Sequence, residues 1–420
     1  MHKFIEVLNK EVVPAQGCTE PIAVAYAVSI ASEQVEGEIE SVQLYLSGNI
    51  VKNALGVGIP GTGMTGIDIA ALLGAVIKRS DKKLEILCDM TPEQLEKANA
   101  LLEKKVLRMA LADSPEKLYV QAVVKTNQGT GRCILQKEHT NVILIEKNGE
   151  VVFEKKEEAT AQSNDHVSMS VDEIYDFAMN APFDDISFIL EGAKMNKAVS
   201  NEGLRGDYGL RVGKALKGQL ENGFLESNYA NEIVAAAAAA SDARMDGCAM
   251  PIMTTAGSGN QGISCTVAVA TLAEKMNKSQ EELARALVLS NLITIHVKSG
   301  MGRLSPLCGS ALAGGCGSSC AMIYLMGGTL EQMKLAINTM LANQTGMICD
   351  GAKTTCALKI ASGMQAAVLA TTLALNGIAP CCKEGIVCKD VEDTIKGLGK
   401  IATTGIPNLD PTILDVMLHK

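Results

Sequence analysis

Three long stretches of the chain hold no charged residue: Gly247 to Ala273, Leu304 to Leu330 and Ile360 to Cys382. Each is long enough to cross a bilayer, which takes about 20 apolar residues. A chain built this way must either put these runs in lipid or bury them against one another. Their composition favours burial, because Gly, Ser, Thr, Asn or Gln recur in all three and Pro251 breaks GCAMPIMTTAGSGNQGISC. Such segments suit close packing inside a soluble protein better than lipid contact.

The rest of the composition narrows the partners. With 420 residues the chain can form a large core and two or three domains. Its 38 basic and 47 acidic residues, net -9, leave no electrostatic footprint for a phosphate backbone, and aromatics for base stacking are only 3%. Nucleic acid and membrane are therefore not expected as partners. The start, MHKFIEVLNKEVV, has acids among its first residues and no unbroken apolar core, which fits neither a secretory signal nor a transit peptide. A cytoplasmic location is expected, where thirteen cysteines do not form a disulfide framework. Most are expected to be small buried hydrophobes.

Periodicity predicts an α+β fold: an N-terminal helix and mixed α/β region, then a large all-helical catalytic domain. The expected divisions are an N-terminal helical segment at 1–36, a mixed domain at 37–160 and a helical domain at 161–420. A helix is predicted from about Glu20 to Ser32, strands at Ser41 to Leu46 and Leu84 to Cys88, and a helix from Ile67 to Lys78. Thr91, Pro92 and Gln94 form a capping signature for a helix reaching about Leu111. LYVQAVVKT, GRCILQK, NVILIEK and VVFEK read as strands, with Asn148-Gly149 as a hairpin turn. After the polar EEATAQSNDH the pattern is helical to the end, and six alanines, Ala235 to Ala240, allow close helix packing.

Two glycine-rich loops invite an anion. Gly61, Gly63 and Gly66 match G-x-G-x-x-G, with Asp89 as a candidate ribose acid, but fourteen residues including Pro60 separate the first glycine from the preceding strand, so a dinucleotide turn is disfavoured. TTAGSGNQG, Thr254 to Gly262, offers backbone N–H groups with Ser258, Asn260 and Gln261 before an apolar helix, a nest suited to a carboxylate. An ordinary helix-connecting turn would have the same composition. Among the cysteines, Cys349 and Cys356 form C-x6-C, Cys308 lies forty residues earlier, and Cys316 with Cys320 form C-x3-C. None is a zinc spacing, and spacing alone permits an iron–sulfur cluster without requiring one.

HVKSGMGRLSPLCG, then MGGT, then TGMICDGAKTTCALKIASG, together with QGCTEP near the start, resemble the L-cysteine desulfidase family, within the broader group of iron–sulfur L-serine dehydratase alpha chains. The desulfidase likeness spans nearly the whole chain, the serine dehydratase likeness its helical half. The resemblance implies a lyase of L-cysteine catabolism with a [4Fe–4S] cluster on three cysteines and one iron open to a small amino-acid substrate. Carried over by motif, the metal ligands are Cys308, Cys349 and Cys356, with Cys320 in reserve. The open iron would bind the substrate's thiolate and carboxylate and make sulfide a better leaving group. Elimination gives 2-aminoacrylate, hence pyruvate and ammonia, without pyridoxal phosphate.

The resemblance also gives Cys18 the catalytic role of base. Its place ahead of a helix puts the thiol near the positive end of the dipole, where thiolate is favoured; the plainer alternative is a packed turn residue. Arg303, five residues before Cys308, is the candidate for the substrate carboxylate, with Lys298, Ser258 and Asn260 as further substrate contacts. Two other functions stay open: L-serine dehydration, against which QGCTEP speaks, and a cluster-based redox sensor without turnover. Some dehydratases end in a cysteine that enters their own site, whereas this chain ends in Leu418-His419-Lys420. Assembly into a homo-oligomer is left open.

Overall fold

The computed structural model describes residues 2–155 and 168–419. The polar stretch from 157 to 166, and with it the expected division at residue 160, lies outside them. The fold is α+β, with a sheet-containing N-terminal region and a helical region beyond it.

The chain opens with α1 (Lys3–Glu11), the short β1 (Pro14–Ala15) and α2 (Thr19–Glu33). Next come β2 (Ile39–Leu46), α3 (Gly48–Ala54), the hairpin of β3 (Gly58–Ile59) and β4 (Met64–Thr65), α4 (Ile67–Ile77) and α5 (Pro92–Glu103). Five strands follow: β5 (Leu107–Leu111), β6 (Tyr119–Thr126), β7 (Gly129–Gln136), β8 (Val142–Lys147) and β9 (Glu150–Glu154). The six-stranded sheet has the order β5-β2-β6-β7-β8-β9, parallel between β2 and β5 and antiparallel elsewhere. Alternation sets its faces: Val42, Leu44 and Leu46 on β2, and Val120, Ala122 and Val124 on β6, are buried. Helices α2 and α4 form the core with these residues. They touch backbone to backbone at Gly74, where a Cβ would lie 2.1 Å from the Ala25 carbonyl oxygen.

Two predicted elements differ. Leu84 to Cys88 is not a strand: a 3-10 turn (Ser80–Glu85) leads into bends, with Ile86 and Leu87 both buried. Adjacent side chains of a strand point to opposite faces, so burying both on one core calls for a turn. The helix predicted to reach Leu111 ends at Glu103; Lys105 adopts φ 55, and Leu107–Leu111 pairs with β2 instead. Sheet-edge pairing outweighs helix propensity there. The G-x-G-x-x-G loop joins β3 to β4 and caps α4, and Asp89 is exposed beside Lys82, so no dinucleotide turn forms.

The helical region contains α6 (Val171–Asn180), α7 (Phe183–Ile186), α8 (Ile189–Arg205), α9 (Val212–Glu221), α10 (Tyr229–Met245), the short β10 (Ile252–Met253) and α11 (Gly259–Lys275). It continues with α12 (Gln280–Met301), α13 (Gly309–Leu325), α14 (Leu330–Gln344), α15 (Cys356–Leu375), α16 (Val391–Lys400) and α17 (Leu409–Leu418). The charge-free stretches supply α11, α13 and α15, with α13 packed against the other two. Hydroxyls join them to neighbouring backbone: Ser318 Oγ of α13 donates to the Ser264 carbonyl of α11 at 2.7 Å, and Ser290 Oγ of α12 to that of Cys265 on α11 at 2.7 Å. This satisfies polar groups without any charge. By length and composition α15 alone among the described helices could cross a membrane, and here it packs on α10, α13 and α14.

Residues 1–36 divide between the two cores. Phe4, Val7 and Leu8 of α1 lie in the helical core, while α2 lies in that of the sheet. β1 pairs with β10, and Leu414 of α17 returns to the sheet core. The two regions are thus stitched together at both ends of the chain.

Candidate active site

At the junction lies a cavity of about 120 Å³. Four helices begin on it: α2, α11, α13 and α15 bring Cys18, Ser258, Cys308 and Cys356 to its wall. Converging helix N-termini concentrate positive potential and open N–H groups, which suits an anionic occupant.

On the α2 wall, Gly17 (φ 71) turns the chain so that Cys18 becomes the N-cap residue. Its thiol donates to Glu20 Oε2 at 3.0 Å, which also accepts from Thr19 Oγ1 at 3.1 Å. Glu20 Oε1 accepts from Asn53 Nδ2 at 3.2 Å, and His139, from the β7–β8 connection, faces it at 3.9 Å. Burial acts to raise the Glu20 carboxyl, but the nearby imidazole and the Cys18 thiol outweigh it and hold the group well below the usual carboxylate range. Burial pushes the Cys18 thiol well up and the Glu20 charge adds to this, with Arg244 opposing. The resting form is therefore a neutral thiol. The thiolate expected from the helix dipole is outweighed by desolvation and an adjacent carboxylate.

Elsewhere on the cavity lining, Cys308 and Cys349 flank an antiparallel bridge between Leu307 and Ile348. The Cys308 amide donates to the Met347 carbonyl at 2.9 Å and the Cys349 amide to that of Pro306 at 2.8 Å. Two lysines hold the Cys349 loop: Lys52 of α3 donates to the Cys349 carbonyl at 3.1 Å, and Lys359 of α15 to that of Ile348 at 3.0 Å. Lys52 also pairs with Asp410 of α17 at 2.5 Å, and Lys359 with Asp350. Burial pushes the Cys308 thiol up to about 12, and Cys349 contributes further. Cys356 is raised too, mainly by burial. Burial lowers Lys298 to about 8 even though Cys349 and Cys308 favour its charged form.

The donor set fits a thiolate-held cluster. Among the described residues no three His, Cys, Asp or Glu side chains converge to hold a single metal ion. Cluster ligands bind separate irons and need not converge on one point. Three thiols, Cys308 and Cys356 at helix starts and Cys349 in the loop before α15, provide with the nearby lysines soft donors that become anionic once metal displaces their protons.

The cavity brings together all eight residues singled out from the sequence: Cys18, Ser258, Asn260, Lys298, Arg303, Cys308, Cys349 and Cys356. Their surroundings differ. Ser258 caps α11 by accepting from the Gln261 amide, and Asn260 Nδ2 contacts Met245 Sδ at 3.4 Å. Lys298 is buried with no hydrogen bond among the described residues. Arg303 is already paired, its Nη2 donating to Glu11 Oε1 at 3.1 Å and Oε2 at 3.3 Å, which leaves it poorly placed for a substrate carboxylate. The reserve ligand Cys320 is fully buried on α13 and does not line the cavity. Glu20, Lys52, His139, Arg244 and Lys359 line it but were not singled out from the sequence. Lys359, in ALKIA, stands alone among apolar neighbours, which was an available signal; Arg244, between Asp242 and Asp246, and His139, in QKEHTN, gave none.

A helical catalytic-type cavity walled by cysteines and reached from a sheet-bearing region places the chain in a recognisable class. Residues 81–415 match the serine dehydratase alpha chain family, and the chain belongs to that family. The match begins ahead of β5 and so takes in most of the sheet as well as the helical region. The chain is also similar over its full length to UPF0597 proteins. One from Clostridium perfringens is 51% identical over 418 residues, covering 99% of this chain and 98% of the relative. One from Bacteroides fragilis is 42% identical over 420 residues, and one from Porphyromonas gingivalis 41% over 426, each covering 100% of this chain and 98% of the relative.

Proposed function

We propose that the protein is an iron–sulfur L-cysteine desulfidase, releasing sulfide, pyruvate and ammonia from L-cysteine without pyridoxal phosphate. The observation that carries this reading is that a hydrogen-bonded thiol, Cys18, lines one small cavity together with Cys308, Cys349 and Cys356. These three residues would hold a [4Fe–4S] cluster, which when bound supplies a Lewis acid for the departing sulfur.

The chain's own groups do the rest. Cys18 takes the α-proton, since it lines the same cavity as the three cysteines that would hold the cluster. Glu20 sets the timing: while its charge stands unmatched, the proton stays on Cys18 Sγ. A substrate docking on Glu20 with its amine unprotonated would accept the Sγ proton, which leaves an ammonium paired with the Glu20 carboxylate and Cys18 as the thiolate that takes the α-proton. Lys298, buried and without a hydrogen-bond partner among the described residues, adds positive charge on the side of Cys308 and Cys349. Cys18, Glu20, Lys298 and Cys308 are buried, which strengthens each of these interactions.

The test is sulfide and pyruvate release from L-cysteine by anaerobically reconstituted protein, with L-serine in parallel. Equal yields of sulfide and pyruvate, lost in Cys18→Ala, are expected. Pyruvate from L-serine alone would make the protein a serine dehydratase, and a cluster without turnover would make it a sensor.

A further inference from the structure

We propose that Arg244 and the N-terminus of α11 together bind the α-carboxylate of the amino-acid substrate. This rests on the reading of the cavity as an amino-acid lyase site and assigns its carboxylate receptor.

Arg244 sits in the last turn of α10, only 5% exposed, and lines the cavity. A buried guanidinium ordinarily pairs with a carboxylate, because leaving such a charge uncompensated is costly. Among the described residues no Asp or Glu pairs with Arg244. Its Nη2 donates to the Gly17 carbonyl at 3.0 Å, its Nη1 reaches only Met245 Sδ at 3.8 Å, and its Nε has no partner.

The guanidinium lies against the start of α11. A Cβ on Gly259, the first residue of that helix, would stand 2.3 Å from Arg244 Nε and 2.7 Å from its Cζ. The missing side chain is what lets the two approach. A helix start carries open amides and partial positive charge. Setting a full positive charge beside it is unfavourable unless an anion joins them, and a planar carboxylate matches both the guanidinium fork and the amides.

Position agrees with chemistry. Arg244 grips Gly17, the residue before Cys18, so a carboxylate held here lies beside the proposed base. The proton to be removed is on the carbon bonded to that carboxylate. Glu20, on the other side of Cys18 in the chain, remains for the ammonium group.

Two probes without a leaving group separate this role from general disruption: L-alanine and L-alaninamide, which differ only in the carboxylate. Both are assayed as competitive inhibitors of sulfide release from L-cysteine. Arg244→Gln should raise the KM for L-cysteine and the inhibition constant of L-alanine by about 30-fold or more, leaving that of L-alaninamide within about 3-fold. Arg244→Lys, which keeps the charge and can still reach Gly17, should fall between. Equal weakening of both probes, or no weakening of L-alanine, would overturn the proposal, the former pointing to displacement of the Cys18 turn. If no sulfide is released at all, the activity reading fails while the receptor is still decided by calorimetry with L-alanine. Heat seen in the wild type and lost in Arg244→Gln would support the receptor; heat unchanged by the substitution, or no heat in the wild type, would overturn it.

Discussion

On the α2 wall of the cavity one thiol, Cys18, donates to a carboxylate, whereas the other three thiols that line it stand near Lys298 and Lys359. Cys18, Cys308 and Cys356 all stand at helix starts, and burial raises all three thiols. Neighbouring charge separates them. A carboxylate beside Cys18 keeps its proton in place and makes its conjugate base strong, which suits proton abstraction. Lysines beside the other three favour thiolates once a metal arrives, which suits ligation.

The largest effect should come from splitting the two walls by mutation. Cys349→Ala is expected to abolish both activity and the visible absorbance of a reconstituted cluster. Cys18→Ala should keep the absorbance and lower kcat by about 1000-fold. Loss of the cluster in Cys18→Ala would erase the distinction between the walls.

A second substitution tests how they are joined. Lys52 is buried, bonded to Asp410 at 2.5 Å and to the carbonyl of Cys349 at 3.1 Å, so it links α3, α17 and the ligand loop. Lys52→Met strands the Asp410 charge and the carbonyl, and should cost about 3 kcal/mol in denaturant unfolding. An unchanged midpoint would mean that the walls hold their places independently.

Much of this was legible in the sequence. The strands from Tyr119 to Glu154, the Thr91 cap and the buried charge-free helices follow from local pattern, because each depends on residues close in the chain. Cys18, Cys308, Cys349 and Cys356, which the fold brings to one cavity, were reached through their motifs. What failed depended on distant partners. Leu107–Leu111 is a strand because β2 lies beside it, and Arg303 is occupied because Glu11 arrives from α1. Arg244 escaped notice for the same reason: only the folded chain shows that it lacks a carboxylate.

Another buried charge lies two residues before Arg244. Asp242 is fully buried, its Oδ2 accepting from the Gly213 amide at 2.9 Å while Oδ1 has no partner. Burial raises its carboxyl from 3.8 to about 6, against hydrogen bonds from Gly213 and Val212. The native state therefore keeps this proton to higher pH than the unfolded chain does. Its contribution is fully present below about pH 4 and declines up to about pH 6, by roughly 3 kcal/mol at most. Denaturation midpoints across that window should fall with pH more steeply in the wild type than in Asp242→Asn.

The smallest expected effect sharpens the contrast within one helix. Cys308 and Cys320 both belong to the α13 region and both are raised to about 12 by burial, yet only Cys308 meets the cavity. Cys320 packs in the helical core, its thiol directed at the Met333 carbonyl at 3.8 Å. Cys320→Ala removes one sulfur from a packed site and should cost about 1 kcal/mol of stability. Iron content and sulfide release should be unchanged, because a thiol inside the helical core has no route to a cluster on the wall. Iron lost in Cys320→Ala but retained in Cys356→Ala would transfer the third ligand to α13 and would require that helix to repack when the cluster forms.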